Sequence, residues 1–122
     1  MPKIQVTFSS RPKLVSEIIR NLIEQQPDME VMGEVIDPIE LIFVLRETPV
    51  DIVIITPLKS NGDPRICRQL LREHPLLKIV TISAEGEAAF LYESNAPKIR
   101  IDNPTGQTVL AAIRESLRRN SR

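Results

Sequence analysis

Short runs rich in isoleucine and valine alternate along this chain with segments of helical apolar spacing. The runs cover residues 3–8, 29–35, 51–55 and 77–83. After the first run, one helical stripe carries the apolar residues Leu14, Val15, Ile18, Ile19, Leu22 and Ile23. Buried strands that alternate with helices are typical of βαβ units. The pattern therefore predicts an α/β fold, in which helices cover both faces of a parallel sheet.

Capping residues mark where the later helices begin. Asp37-Pro38-Ile39-Glu40 supplies an N-cap aspartate, a proline at the first helical position and a glutamate at the third. This motif predicts a second helix from Pro38 to about residue 47. Asp63-Pro64 repeats the pattern for a third helix that ends near His74. Pro104 opens a last helix, whose apolar face carries Val109, Leu110, Ile113 and Leu117.

The segment 84–97 fits two different structures. Residues 87–93 fit a short helix, which we favour. Residues 89–93 and 98–102, separated by Ser94-Asn95-Ala96-Pro97, also fit two strands. With the helix, the chain makes five βα units without an internal repeat or a linker. Its 122 residues are the length of one domain, so we predict a single domain over 1–122.

The chain lacks the residue patterns of common catalytic and cofactor sites. It has four glycines, so neither G-x-G-x-x-G nor a P-loop can be written anywhere in it. No Ser-His-Asp order with a nucleophile elbow is present. Cys67 is the single cysteine, which excludes an internal disulfide and a cysteine-based zinc cluster, and we read it as a core residue. We therefore expect no enzyme activity, no cofactor and no metal.

Charge and hydropathy give no sign of a nucleic acid or a membrane as a direct partner. The 16 Lys and Arg residues balance 16 Asp and Glu, and aromatic residues are 3% of the chain. The basic cluster at Arg114, Arg118, Arg119 and Arg122 is read as a solvated helix end. The longest purely apolar run, 41–45, is far shorter than the ~20 residues of a membrane span. The N-terminus also lacks a signal-peptide apolar region, so we expect a cytoplasmic protein.

Four pieces of the sequence, in their order and spacing, resemble the receiver domain of two-component response regulators. They lie at residues 26–34, 51–55, 73–75 and 109–114, and they resemble most the branch usually followed by a helix-turn-helix DNA-binding domain. The resemblance implies a doubly wound, five-stranded parallel sheet in the order 2-1-3-4-5, with a short or degenerate fourth helix. In such sheets the functional crevice lies at the carboxyl ends of the strands, beside the switch in strand order.

The resemblance also assigns roles to five positions at that crevice. A working receiver has an acidic pair after strand one, a phosphoaccepting carboxylate after strand three, a hydroxyl after strand four and a lysine after strand five. This chain has Ser9, Ser10, Thr56, Ser83 and Ile101 in those places, of which only Ser83 fits. Neutral hydroxyls bind Mg²⁺ poorly, and without metal and lysine the charge of phosphoryl transfer has no partner. The resemblance therefore implies a pseudo-receiver with a degenerate pocket and no phosphoacceptor.

A neighbouring cation could replace the missing lysine in only one way. Arg100 precedes Ile101, and successive residues of a strand point to opposite faces, so Arg100 reaches the crevice only if the register slips by one residue.

Two functions remain open at this point. The first is a regulatory domain that acts by dimerisation or by docking a protein partner, as a module of a transcription regulator. The second is a sensor that binds a small molecule or an anion through the hydroxyls of the degenerate crevice.

The second helix predicts where a partner would bind. Leu41, Ile42 and Leu45 form a stripe that fits against the sheet, and this leaves Ile39 and Phe43, one turn apart, on another face. We expect both side chains to be partly exposed. Our hypothesis is that a second copy or a partner domain covers them, with Phe43 as the anchor.

Overall fold

The computed structural model describes residues 3–10, 13–58, 65–83, 88–102 and 105–119, with the backbone alone at residues 10, 13–16, 19, 57, 58, 83 and 119. The strands are β1 (Ile4–Ser10), β2 (Met29–Val35), β3 (Ile52–Leu58), β4 (Lys78–Ser83), β5 (Ala89–Glu93) and β6 (Ile99–Ile101). The helices are α1 (Lys13–Glu24), α2 (Glu40–Glu47), α3 (Arg65–Glu73) and α4 (Gly106–Arg119). The predicted helix starts at Asp63-Pro64 and Pro104 lie outside the described residues.

The strands form one six-stranded sheet in the order β2-β1-β3-β4-β5-β6. β2, β1, β3 and β4 run parallel to one another, whereas β5 is antiparallel to β4 and β6 is antiparallel to β5. The α/β class and the predicted order of the first four strands are confirmed. The prediction of five strands that are all parallel is wrong, because the last part of the sheet is an antiparallel meander.

The meander begins with β5, in the segment that fitted two structures. Residues 89–93 form a strand, so the favoured short helix is wrong and the two-strand alternative is confirmed. Ala89 and Leu91 are buried towards one face of the sheet, and Tyr92 is buried towards the other. Burial at alternate positions on both faces suits a strand better than a helix. Asn95, at φ 61°, then turns the chain, and asparagine is among the few residues that tolerate this left-handed conformation.

Helices cover both faces of the sheet, and each face has its own apolar core. The core beneath α1 and α4 contains Val6, Phe8, Ile23, Met29, Ile52, Ile54, Val80, Ala89, Leu91, Ile101, Val109, Leu110 and Ile113. The core beneath α2 and α3 contains Leu41, Ile42, Leu45, Val53, Ile55, Cys67, Leu70, Leu77, Ile79 and Tyr92. The predicted core role of Cys67 is thereby confirmed. Within the described ranges, none of the helices combines the length and apolar character that crossing a bilayer requires.

The predicted capping motif opens α2. The Asp37 carboxylate accepts a hydrogen bond from the Ile39 N–H at 3.0 Å, and the Glu40 carboxylate accepts one from the Asp37 N–H at 3.1 Å. The pair resembles a capping box, except that the Asp37 carboxylate bonds to the Ile39 N–H and not to the Glu40 N–H, and it satisfies backbone donors in the turn before the helix. The first turn is tight, because the Glu40 N–H bonds to the Asp37 carbonyl three residues earlier, at 2.9 Å.

Candidate functional site

The carboxyl ends of β1, β3 and β4 lie side by side, as the predicted crevice requires. Ser9 is in register with Ile55, Ser10 with Thr56, and Ser83 with Leu58. The backbone positions of the predicted pocket residues on these strands are therefore brought together. The side chains of Ser10 and Ser83 lie outside the described part of the structure.

The two described hydroxyls of this group belong to different faces of the sheet. Ser9 is buried, and its Oγ donates a hydrogen bond of 3.3 Å to the carbonyl of Ile36. Thr56 is also buried, and strand alternation places it on the face of Ile54, away from Ser9. The Ser9 hydroxyl thus holds the chain that leads from β2 into α2.

Ile101, at the fifth pocket position, is a core residue. Ile101 is buried, lies opposite Ala89 and contributes to the core beneath α4. Arg100 is in register with Phe90 and points to the other face, where its side chain is exposed. The register therefore does not slip, and Arg100 does not take the place of a lysine beside the crevice. Across the residues with described side chains, no cluster of three or more His, Cys, Asp or Glu could hold a metal ion.

An exposed apolar patch lies at the start of α2. Ile36, Ile39 and Phe43, which we call the α2 patch, are 69%, 56% and 63% exposed. The predicted partial exposure of Ile39 and Phe43 is confirmed, and so is the burial of Leu41, Ile42 and Leu45. Ile36 was missed, because it follows a strand and belongs to no periodic stripe.

A charged pair borders the α2 patch and ties α2 to α3. The Arg46 guanidinium donates two hydrogen bonds to the Glu73 carboxylate, at 2.9 and 3.0 Å, and its centre lies 6.0 Å from the Phe43 ring centroid. The hydrogen bonds from Arg46, together with one from Gln69 at 3.1 Å, lower the pKa of Glu73 to about 2. Glu73 is therefore ionised at neutral pH, and its partner Arg46 lies beside the most exposed aromatic ring of the described chain.

The described arginines of the basic C-terminal cluster, Arg114 and Arg118, form ion pairs with carboxylates of the same chain. Arg114 donates to both carboxylate oxygens of Asp28, at 2.9 and 2.8 Å, and to Oε1 of Gln26 at 2.9 Å. This hydrogen bonding lowers the pKa of Asp28. Arg118 lies 3.5 Å from Glu115 on the same helix. The side chains of Arg119 and Arg122 lie outside the described residues, so the predicted solvated helix end is only partly described.

A second feature that sequence reasoning missed lies on β5 and β6. The Lys98 ammonium is 4.8 Å from the centroid of the Phe90 ring, and Arg100 is 3.5 Å from the Asp102 carboxylate. Both cations are exposed on the sheet face that carries Phe90. The alternation of Lys98 and Arg100 with two isoleucines could have indicated this arrangement, once residues 89–93 were assigned to a strand.

An open cavity of about 460 Å³ lies at the opposite end of the strands. Its lining includes Lys3, Gln5, Glu30 and Asp51, and the Asp51 carboxylate accepts a 2.9 Å hydrogen bond from the Gln5 backbone N–H. This cavity is remote from the predicted crevice, because it surrounds the amino ends of β1 and β3. No sequence motif pointed to it.

Comparison with known proteins gives structural relatives only. No protein-family model matches the chain, and no curated protein matches it. Two solved structures of the RcsB response regulator of Salmonella typhimurium, which concern its conformational dynamism for DNA interaction, are similar. They are 26% and 25% identical, with TM-scores of 0.57 and 0.54, over 67% and 68% of this chain. The matched part spans 41% and 44% of the RcsB chains, less than half of their length.

The chain therefore has a receiver-like fold, and it resembles the signalling domain of a response regulator.

Proposed function

We propose that this chain is a receiver-like regulatory domain that works without phosphorylation and dimerises through the α2 patch. The observation that carries the proposal is the exposed pair Ile39 and Phe43 on a helix whose other apolar side is already buried. A helix that is apolar on two sides has a second surface to cover. We place this domain in the cytoplasm.

Independence from phosphorylation rests on the residues at the crevice. The Ser9 hydroxyl is bonded to the Ile36 carbonyl, and Ile101 packs in the core where a receiver would hold a lysine. Charge-stabilised phosphoryl transfer needs carboxylates, a metal and a cation at these positions. The same contacts weigh against the alternative of an anion sensor, because the Ser9 hydroxyl already donates its proton.

A second copy of the chain is the occupant that we propose for the α2 patch. Each of its three side chains exposes more than half of its surface, and apolar patches of a few hundred Å² are often functional. A two-fold axis would bring the same patch of both copies together. Antiparallel α2 helices would also place Glu40, in the first turn, near Arg46 in the last turn of the partner.

We also propose how such a dimer would act on transcription. The RcsB structures concern interaction with DNA, and they contain more than twice the length that this chain matches. By analogy, we propose that the domain acts within a transcription regulator, where the dimer sets the spacing of DNA-binding domains. DNA contact is assigned to those domains and not to this one.

Light scattering over a concentration series tests the dimer. We expect the molar mass of the wild type to rise towards that of two chains, and that of the Ile39→Glu, Phe43→Glu variant to remain that of one. Two buried carboxylates would leave unpaired charge in the interface. Leu76→Glu is the matched control, because Leu76 is the most exposed apolar residue described and lies outside the patch.

Circular dichroism confirms that all three proteins are folded. A wild type that stays monomeric at every concentration, or a double variant that still dimerises, rejects dimerisation through the α2 patch.

A further inference from the structure

Among the strands that the structure describes, none lies beside the outer edge of β6. β6 is the last strand in the sheet order and pairs only with β5. The backbone N–H and C=O groups on the outer side of such a strand are a template for one more strand. Ile99, on this edge, is 39% exposed, which is unusual for an isoleucine whose neighbour Ile101 is part of the core.

The two faces of this edge differ in chemistry. Ile99 and Ile101 lie on the side of the core beneath α4, whereas Arg100 lies beside Phe90 on the opposite side. Lys98 belongs to the same side as Arg100, because its ammonium sits over the Phe90 ring at 4.8 Å. A strand added here therefore meets cations on one face and isoleucine on the other.

In the described structure, β6 lies at the border of the sheet, beyond the strand that carries Phe90. Lys98 and Arg100 are consequently exposed to solvent, and the one described ion pair of Arg100 is the 3.5 Å contact with the exposed Asp102. Exposed pairs of this kind contribute little, so an incoming carboxylate can compete for Arg100.

We propose that the β6 edge binds an extended segment of a partner protein in which acidic residues alternate with apolar ones. The backbone of the segment continues the sheet, its carboxylates meet Lys98 and Arg100, and its apolar side chains cover Ile99. This site is separate from the α2 patch, and the proposal does not depend on dimerisation.

The positive charges of Lys98 and Arg100 determine which kind of strand can bind at the β6 edge. Two β6 edges would oppose their own cations, so pairing between identical edges is disfavoured. Carboxylates remove this repulsion and form charge-assisted hydrogen bonds with the guanidinium of Arg100. The β2 edge of a second copy also alternates in this way, at Met29, Glu30 and Val31, and it is the competing occupant that the experiment must separate.

A peptide titration followed by NMR of the ¹⁵N-labelled protein tests the proposal. The probe is a short capped peptide of alternating valine and glutamate, and the matched peptide has lysine in place of glutamate. We expect saturable shifts of the amides of residues 88–102 with the glutamate peptide alone. Lys98→Glu with Arg100→Glu should weaken its binding about tenfold or more and favour the lysine peptide instead.

Three further variants complete the design. Arg65→Glu with Arg72→Glu makes the same change of charge on exposed positions of α3, and it should bind as the wild type does. Asp102→Asn removes the competitor for Arg100 and should tighten binding. Well-dispersed spectra show that each variant is folded, and Lys98→Gln with Arg100→Gln replaces the charge reversal if the latter does not fold.

Three results would overturn the proposal. One is the absence of saturable shifts in the wild type, and another is equal binding of both peptides. The third is a rise of molar mass with concentration for the Ile39→Glu, Phe43→Glu variant without peptide, if this rise is lost when Glu30→Lys is added. That result would assign the β6 edge to the β2 edge of a second copy, whereas loss of the α2 dimer alone would leave the proposal intact.

Discussion

Glu73 shows how one exposed carboxylate can join two helices. It accepts both hydrogen bonds of the Arg46 guanidinium and a third from Gln69, so its charged form has three donors. Asp28 has a similar role between the turn after α1 and Arg114 on α4. In both cases the pKa of the carboxyl group is lowered because hydrogen bonds from arginine favour the ionised form.

These lowered pKa values predict acid sensitivity. A carboxyl group whose pKa is lower in the folded state stabilises the fold above its unfolded pKa, and this contribution is lost as pH falls through the folded pKa. For Glu73 the window runs from the ordinary value of 4.5 down to about 2. We expect the urea midpoint to fall across this window, and to fall less in Glu73→Gln.

Urea unfolding at several pH values between neutral and strongly acidic makes the measurement. Glu47→Gln is the control, since it removes an exposed carboxylate at the end of α2. Equal acid dependence in the wild type and Glu73→Gln would show that the pair with Arg46 does not contribute.

The sequence did not predict which residues form hydrogen bonds with one another across the fold. Residue type predicted that Ser9 cannot act as a metal-binding acid, but not that its hydroxyl would bond to the Ile36 carbonyl. Arg114 was read as part of a solvated helix end, yet it clamps Asp28, 86 residues away in the chain. Such contacts depend on how the elements pack, and no local pattern carries that information.

The capping turn of α2 is the element-scale feature on which the α2 patch depends. The Asp37 carboxylate accepts from the Ile39 N–H, the Glu40 carboxylate accepts from the Asp37 N–H, and Ile36 directly precedes this turn. The turn fixes the path of the chain from β2 into the helix. The residues of the motif were predicted, because capping depends on residues that are close in sequence, but α2 begins at Glu40, two residues after the predicted start at Pro38.

Asp37→Ala should destabilise the domain by about 1 kcal/mol, because it removes the carboxylate that bonds to the Ile39 N–H at the start of α2, and losing such a side-chain acceptor usually has an effect of this size. Asp37→Ser, which keeps a capping oxygen, should recover most of this loss. The free energy of unfolding, measured by urea titration, checks both. Identical stability of Asp37→Ala and the wild type would mean that the observed hydrogen bonds do not stabilise α2.

The helix and strand patterns of residues 87–93 could not be separated from local sequence. Ala89, Phe90, Leu91 and Tyr92 are all apolar, so no period stands out in so short a run. The decision comes from the sheet, because β5 pairs with both β4 and β6 and fills the core beneath α4. Burial of Ala89 and Leu91 beside Val80 outweighs the local preference for a helix.

At the scale of the whole molecule, the chain has a receiver-like fold without the acidic and lysine side chains that a receiver uses for phosphorylation. The α/β class, the order of the first four strands and the two covered faces could be predicted, because they follow from patterns spread over the whole chain. The geometry of the candidate site could be predicted only as backbone positions. Two of its described side chains have structural roles, since Ser9 bonds to the Ile36 carbonyl and Ile101 packs in the core beneath α4.

The whole domain should therefore be inert towards phosphodonors. We expect no stable phosphoryl adduct when the protein is incubated with Mg²⁺ and acetyl phosphate, since its crevice has neither the acidic pair nor the lysine. Intact-mass spectrometry makes the measurement, with a response-regulator receiver that retains those residues as the positive control. A stoichiometric adduct on this chain would contradict phosphorylation independence and reopen the assignment of the pocket.

The reversal of chain direction after β4 also changes how far apart in sequence the paired strands are. Ile82 pairs with Ala89, seven residues later, whereas Val6 pairs with Ile52, 46 residues later. Bringing the ends of the longer segment together costs about 1.7 kcal/mol more in chain entropy, by the logarithmic dependence on loop length. The β4–β5–β6 meander is thus the part of the sheet that closes at the lowest entropic cost, and it offers an early surface on which the parallel strands can assemble.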